Sequence, residues 1–420
     1  MWRSPADPGG RSGCCVLDSR SLWRQGASHD EIVIAGACRT AVGTFGGIFK
    51  DVPAPELGAL VVKEALRRAG VEKDVPEEVI FGCCMMRSDE LNVARLIGLK
   101  ADLPVTTPAF TIQRQCASGM QAIVSAMQQI QTGEHEVVVA GGVENMTRMP
   151  YILDNMRTGA RLGHVQAIDA VVQGLTDPIH GIHMGVTAEN LAEKYDVSRE
   201  DQDELAYTSH MRAVRAIDEG WFKEQIVPVE APVGRKKTRV CDTDEHPRKD
   251  TTLEGLAKLR PAFKKNGTVT AGNASGINDG AAAMVVMSAE KAKELGVTPM
   301  ARIVDHEVTA VEPTLMGYGP VPAVNRLMKR TGMSLDDFEL IELNEAFAAQ
   351  YLVCERQLGL DREKTNVNGS GISMGHPVGC TGSRIVVSLI HELRRRGLKR
   401  GLATLCVGGG QGKAMVVELV

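Results

Sequence analysis

From Glu31 onward the chain alternates short unbroken apolar runs with longer stretches of helical spacing. EIVIAGA, starting at Glu31, predicts a buried strand. After the glycine-rich GTFGGIF, apolar positions at Leu57, Leu60, Val61, Ala65 and Leu66 recur at the spacing of one helix face. EVIFGCC predicts the next strand, and FTIQ from Phe110 another. Strands alternating with helices imply an α/β class with a largely buried sheet.

The pattern also repeats. Ser118-Gly119-Met120-Gln121-Ala122-Ile123-Val124-Ser125 opens a helix that leads to the strand EVVVA and then Gly141-Gly142. Far downstream, Thr381-Gly382-Ser383-Arg384-Ile385-Val386-Val387-Ser388 opens a helix that leads to LATLCV and Gly408-Gly409. The shared order of elements predicts an internal duplication. Two such halves pack as one pseudo-symmetric body, with both helix starts converging on a site. The first half is read as residues 31–145 plus 276–299, and the second as residues 300–420.

Between them, residues 146–275 have a more polar texture and read as an inserted lobe. Its long helix, SREDQDELAYTSHMRAVRAIDEG, has Ser198 as a cap and acidic residues in the first turn, where the helix dipole favours them. The basic runs GRKKTRV and HPRKD suit either an anionic, phosphate-bearing partner or a solvated face. Residues 1–30 lack apolar periodicity and carry Asp7, Asp18 and Asp30, unlike a secretory or transit peptide. They read as a disordered or non-native extension.

Composition narrows the class. With 48 Lys and Arg against 52 Asp and Glu, the formal charge is −4, which argues against nucleic-acid binding. No apolar run is long enough to span a membrane. The 10 cysteines lack zinc-type spacing, so no metal is expected. They read as reduced thiols in a cytoplasmic protein, and some of them are candidates for catalysis.

In QRQCASGMQA, Cys116 follows a strand and precedes a helix, where the positive end of the helix is expected to lower its pKa. Alone, a cysteine at such a junction is more often core packing. In NVNGSGISMGHPVGCTG, glycines crowd around His376, predicting a specially shaped turn. The duplicated geometry brings this imidazole toward the thiol, as a nucleophile and its base require. In LATLCVGGGQG, Cys406 ends a strand and can give or take protons. The glycines that follow it offer bare backbone N–H groups to an oxyanion. In IELNEAFAAQ, Asn344 and Glu345 sit where a strand enters a helix, as an oxyanion or water holder, a loop anchor, or simply caps.

Together these segments resemble the thiolases, and within them the acetyl-CoA acetyltransferases. The resemblance runs from Glu31 to Val420 and is carried by QCASGMQA, GGVENMT, HMGVTAEN, LAKLRPAF, GNASGINDGAA, NEAFA, SMGHPVGCTG and CVGGGQG, in that order. It implies a five-layer αβαβα body, with Cys116 as the nucleophile and His376 as its activator. Cys406 is then the acid and base at the substrate α-carbon. Asn344 and His376 form one oxyanion hole, the former through a water, and the N–H groups of Cys116 and Gly408 form the other. The inserted lobe is expected to hold coenzyme A, with Leu175, His183, Met184, Arg248 and Phe263 along its path. Ala271, Ser275, Ala346 and Phe347 complete that path. His183-Met184 resembles the short-chain members. Coenzyme A and acetyl-CoA enter as substrates, with no permanently bound cofactor, and the family relation implies a homotetramer of tight dimers.

Three positions depart from the common pattern: Gln113 replaces an Asn, Ser370-Gly371 replaces Gly-Ala, and Gly255 replaces a serine near the coenzyme. The competing readings are a broad-chain β-ketoacyl-CoA thiolase, a decarboxylating synthase, and a non-catalytic lipid-binding protein. A synthase pairs its cysteine with two histidines, and a non-catalytic protein is expected to lack Cys116, His376 or Cys406.

Overall fold

The computed structural model describes residues 31–234 and 236–420, so the reading of residues 1–30 lies outside the described residues. The first half contributes strands β1 (Ile32–Thr40), β2 (Glu78–Gly82), β3 (Ala109–Ile112), β4 (Val137–Asn145) and β5 (Asn278–Ser288). The second contributes β6 (Ala301–Ala310), β7 (Leu340–Leu343), β8 (Arg400–Val407) and β9 (Gln411–Leu419). Along the sheet the order is β7-β8-β9-β6-β1-β5-β4-β2-β3. The first half reads β1-β5-β4-β2 with β5 antiparallel to β1 and β4, and β4 parallel to β2. The second reads β6-β9-β8-β7 with the same polarities. Two pairs of residues, Val33 with Arg302 and Ile34 with Ala301, join the halves.

Period-two alternation builds the layers. On β5, Ala281, Ala283, Val285 and Met287 face α1 (Ala54–Ala69), while Ala282, Met284 and Val286 face the opposite core. That opposite core also takes α3 (Ser118–Gln131) and α8 (Val378–Arg396), after the short α2 (Val93–Lys100). On β9, Met415 and Val417 share this central core, whereas Ala414 and Val416 face α6 (Pro320–Thr331) and α7 (Ala348–Leu358). The layers are therefore helix, sheet, helix, sheet, helix, in agreement with the expected αβαβα body.

The lobe between β4 and β5 carries α4 (Met184–Lys194) and α5 (Arg199–Asp218). Ser198 caps α5 by accepting from Asp201 N at 3.0 Å, as its sequence predicts. Lobe and body are clamped by a buried ion pair: Arg39 on β1 grips both oxygens of Asp244 at 2.7 and 2.9 Å and donates to Gln225 Oε1 at 2.8 Å. The basic run at 236–240 lies on an exposed hairpin.

One expectation is corrected. Gly141-Gly142 is no counterpart of the turn at Gly408-Gly409, because β4 runs straight through it to Asn145. The glycines serve close approach instead: a Cβ on Gly142 would lie 2.5 Å from Gly379 O, and one on Gly141 2.6 Å from the Phe81 ring. The same device brings the two central helices together. A Cβ on Gly119 would lie 2.7 Å from Ser383 Oγ, and one on Gly382 2.5 Å from Met120 N. These contacts are reciprocal between the two repeated segments, as a pseudo-twofold requires. We expect Gly382→Ala to lower stability by about 1–3 kcal/mol, the usual cost of overpacking. Urea unfolding measures it, and an unchanged midpoint would show that the helices can separate freely.

Candidate active site

Cys116 sits on a strained elbow. After β3 the chain turns through Gln115, whose φ of 45° is left-handed without a glycine to ease it. Ser118 holds the turn: its Oγ accepts from Arg114 N at 2.8 Å and donates to Gln115 O at 2.6 Å. The helix then starts at Ser118, leaving Cys116 at its amino end. The expected lowering of the thiol pKa is not found. Although Cys116 is only part-buried, desolvation by the protein packed round it pushes the thiol up to about 11, while the N–H groups of Gly408 and of Cys116 itself pull it down. Crowding by protein outweighs the helix field, so the resting thiol is protonated and needs a base.

His376 can be that base. Its N–H donates to Asn278 Oδ1 at 2.9 Å, and a Cβ on the preceding Gly375 (φ 94°) would lie 2.5 Å from the Asn278 amide, which leaves space only for glycine. Its Nδ1 lies 2.7 Å from Thr381 Oγ1, while that hydroxyl donates to Pro377 O at 2.9 Å. A hydroxyl has one proton to give, so Nδ1–H is the donor to Thr381, and Nε2 carries the free lone pair. Nε2 is buried and has no partner among the described residues. Burial, with help from the Arg384 charge, pushes the imidazole down to about 3, so it rests neutral.

Cys406 ends β8 and is fully buried. Burial first, and then the neighbouring Cys116, raise its thiol well above the ordinary range. Gly408 follows in the turn with its N–H directed at Cys116. Asn344 is buried after β7, with Nδ2 3.5 Å from His376 Nδ1 and Oδ1 unpartnered among the described residues. Asn344 and Glu345 do not cap a helix, since α7 begins later at Ala348. Glu345 anchors the loop instead, accepting from Ser209 Oγ at 2.6 Å and from Asn366 Nδ2 at 2.9 Å.

The coenzyme-path residues divide. Met184, Phe263, Ala346 and Phe347 pack in one apolar cluster with Cys406. His183 stacks on Phe263 with ring centroids 4.9 Å apart and caps α4 by accepting from Gly185 N. Ser275 N–H donates to Ala346 O at 2.9 Å, and Leu175 belongs with Cys116 to a neighbouring cluster. Arg248 and Ala271 are exposed on the lobe, and nothing ties them to the thiols. Among the departures, Gln113 is exposed, with Nε2 4.0 Å from Cys84 Sγ, and Gly255 is exposed in a short helix, Leu253–Ala257. Gly371 is required where it stands, because a Cβ there would lie 2.5 Å from Glu345 O.

Sequence reading missed Glu144 as a site-building group. Its buried carboxylate accepts N–H bonds from Cys84, Met85 and Gly379 at 2.8–3.0 Å, joining the two halves beside Cys116. The signal was a carboxylate inside the apolar run VVVAGGVEN, which must find buried donors. Thr381, read only as a helix opener, proves to be the partner of His376.

Comparison with known proteins identifies the family and the fold. Residues 32–290 match the family description "Thiolase, N-terminal domain" and residues 297–419 match "Thiolase, C-terminal domain". The chain belongs to the thiolase family. It is 51% identical over 393 residues to an acetyl-CoA acetyltransferase of Syntrophomonas wolfei, covering 92% of this chain and 99% of that one. It is 49% identical over 392 residues to beta-ketothiolase BktB of Cupriavidus necator, covering 93% and 99%. The crystal structure of the Bacillus anthracis acetyl-CoA acetyltransferase superposes with a TM-score of 0.92 at 55% identity, covering 93% and 99%. Human mitochondrial 3-ketoacyl-CoA thiolase does so with 0.91 at 45%, also covering 93% and 99%.

The thiolase interior holds several histidines neutral. Burial pushes His210, His246, His306 and His391 down to about 4, alongside His376. The unfolded chain takes up these protons below the ordinary histidine value of about 6.5, whereas the fold resists until about 4 or below. Glu342, raised to about 8, and Asp279, raised to about 6, act in the opposite sense, as do Glu90, Glu144 and Glu345, which burial also raises. The six lowered histidines, His183 among them, still outnumber these five, and it is their unfolded-state titration that falls between pH 7 and 5. Stability is therefore expected to fall as pH drops from 7 to 5. Thermal melts across that range check it, and a flat or rising midpoint would contradict it.

Proposed function

We propose that this thiolase is an acetyl-CoA C-acetyltransferase, which condenses two acetyl-CoA reversibly to acetoacetyl-CoA and coenzyme A. The observation that supports this reading is a pair of neighbouring protonated thiols with the Gly408 N–H directed at Cys116, and a neutral buried imidazole with a free Nε2 at the start of the helix that crosses the one after Cys116.

Cys116 Sγ attacks the thioester carbonyl as its proton passes to His376 Nε2. The carbonyl oxygen gains charge and is held by N–H groups, as in other acyl transfers. The C–S bond to coenzyme A breaks, and the departing thiolate takes the Cys406 proton. Acetyl-Cys116, imidazolium and the Cys406 thiolate remain. Cys406 then removes an α-proton from the second acetyl-CoA. The resulting carbanion attacks acetyl-Cys116, with the thioester oxygen near His376 and a water on Asn344. Cys116 leaves as thiolate and recovers its proton from His376, which resets every group. The mechanism is ping-pong through an acyl-enzyme.

Coenzyme A enters over the lobe, with its thiol end among Met184, Phe263 and Phe347 and its phosphates toward Arg248, whose guanidinium suits them. The stacked His183 and Phe263 beside Met184 support a short acyl pocket. The broad-chain reading draws on the 45% identity to a 3-ketoacyl-CoA thiolase. A homotetramer of dimers and a cytoplasmic location belong to the same proposal. The edge strand β3, half-buried along its length, supports a partner there.

Purified protein is expected to cleave acetoacetyl-CoA rapidly with coenzyme A and a long-chain β-ketoacyl-CoA slowly. Equal or faster cleavage of the long substrate would favour the broad-chain reading, and cleavage of neither would overturn both. Cys116→Ala is expected to abolish acyl-enzyme formation, read by intact mass, while the fold survives. Normal turnover in that variant would remove Cys116 as nucleophile.

A further inference from the structure

His376 sits in a gap between two helices. The Gly375 N–H still belongs to the short helix Gly371–Met374, donating to Gly371 O at 3.0 Å. The bonding of α8 begins beyond the gap, where the Cys380 and Thr381 N–H groups both donate to Pro377 O at 2.9 Å. Neither helix takes up the His376 N–H, and Pro377 has no N–H to offer. A buried N–H needs a partner, so the main chain that carries the imidazole must be fixed from outside both helices.

Asn278 does this. It stands fully buried where the chain leaves the lobe and enters β5. Its Oδ1 accepts from His376 N at 2.9 Å, and its Nδ2 donates to Gly43 O at 3.0 Å. These partners fix the orientation of the amide, because turning it over would set N–H against N–H and carbonyl against carbonyl. Nδ2 also lies 3.4 Å from His246 Nδ1, which accepts, since an amide nitrogen can only donate. His246 belongs to the lobe, just past the Asp244 that Arg39 grips. Glycines flank the amide. A Cβ on Gly375 would lie 2.5 Å from Asn278 Cγ, and one on Gly276 would lie 2.9 Å from Asn278 Oδ1 and 2.4 Å from His246 Cε1. No side chain intervenes, so the turn of His376 rests directly on the amide.

We propose that Asn278 is a positioning residue of the acyl-transfer site: its amide replaces the helix bond missing at His376 and fixes where Nε2 meets the Cys116 thiol, while Gly43 of the body and His246 of the lobe hold the amide itself. The proposal rests on the reading of His376 as the base for Cys116. The base is then held at two points, its Nδ1 by Thr381 and its main chain by Asn278. Proton transfer requires Nε2 to stay within hydrogen-bond reach of the thiol, and a misplacement of about 1 Å costs about a hundredfold in rate. Asn278 takes up and releases no proton in the cycle, so it acts on the reaction through His376 alone.

The test is a double-mutant cycle on the rate of acetyl-Cys116 formation, followed by rapid-quench mass spectrometry at neutral pH with acetyl-CoA varied. Asn278→Ala is expected to lower the limiting rate about 10- to 100-fold. The half-saturating acetyl-CoA concentration is expected to stay at the wild-type value, because the coenzyme path is untouched. His376→Asn is expected to lower the limiting rate by about 10²- to 10⁴-fold. Adding Asn278→Ala to His376→Asn is expected to cost no more than about twofold further, since the amide then has no base to place. Losses that multiply in the double variant would show that Asn278 supports the fold at large and would overturn the proposal. A wild-type limiting rate in Asn278→Ala would overturn it as well. If Asn278→Ala does not fold, His246→Leu, which frees the amide from its lobe partner, takes its place in the cycle with a loss in the same direction, and the same outcomes decide. If His376→Asn acylates Cys116 at the wild-type rate, the assignment of His376 as base fails. If acylation depends on His376 but the two losses multiply, only the present inference fails.

Discussion

The contact on which the site depends is the crossing of α3 and α8 at Gly119 and Gly382. Each helix places its first turn against the backbone of the other, with no room for a side chain at either glycine. Cys116 lies just before one helix start and His376 just before the other. Two groups more than two hundred residues apart thereby share one small volume. Glu144 reinforces the crossing, because its carboxylate binds Gly379 at the start of α8 and Cys84 and Met85 beside Cys116. The ordered elbow at Gln115 follows from the same geometry: the nucleophile must turn back toward the crossing, and Ser118 stabilises the strained turn.

Enclosure then sets the chemistry. Burial raises both thiols and lowers the imidazole, so the resting site carries no charge on Cys116, Cys406 or His376. Charge arises only as protons move during reaction, when nearby N–H groups can meet it. Desolvation opposes the preformed thiolate–imidazolium pair that the helix end alone would favour. The position of Asn344 and the bare Nε2 of His376 suit a site that waits for a substrate oxygen and a thiol proton.

Much of this was legible in the residues. The apolar runs located β1, β2 and β3, helical spacing located α1, and Ser198 with its acidic neighbours located the start of α5. The repeat was legible in SGMQAIVS and TGSRIVVS, and the matching order and polarity of four strands in each half bear it out. The repeat misled at Gly141-Gly142, because glycine permits a turn and permits close approach equally well, and the sequence does not say which. Cys116, His376, Cys406 and Asn344 were identifiable as candidates from their settings; the structure sets Cys406 beside Cys116 and Asn344 beside His376. Arg248 and Ala271 it leaves exposed on the lobe.

By itself the sequence determined the α/β class, the duplicated halves with their inserted lobe, the family, and the residue types available for chemistry. These follow from local periodicity and from motifs written along the chain. Only the tertiary structure decided which states those groups rest in and what holds them. The partnership of His376 with Thr381, the grip of Glu144 on three N–H groups, and the neutrality of both thiols arise between segments distant in sequence. Desolvation and hydrogen-bond direction depend on what packs around a side chain. That is fixed when the two halves of the sheet close over two central helices, and no run of neighbouring residues encodes it.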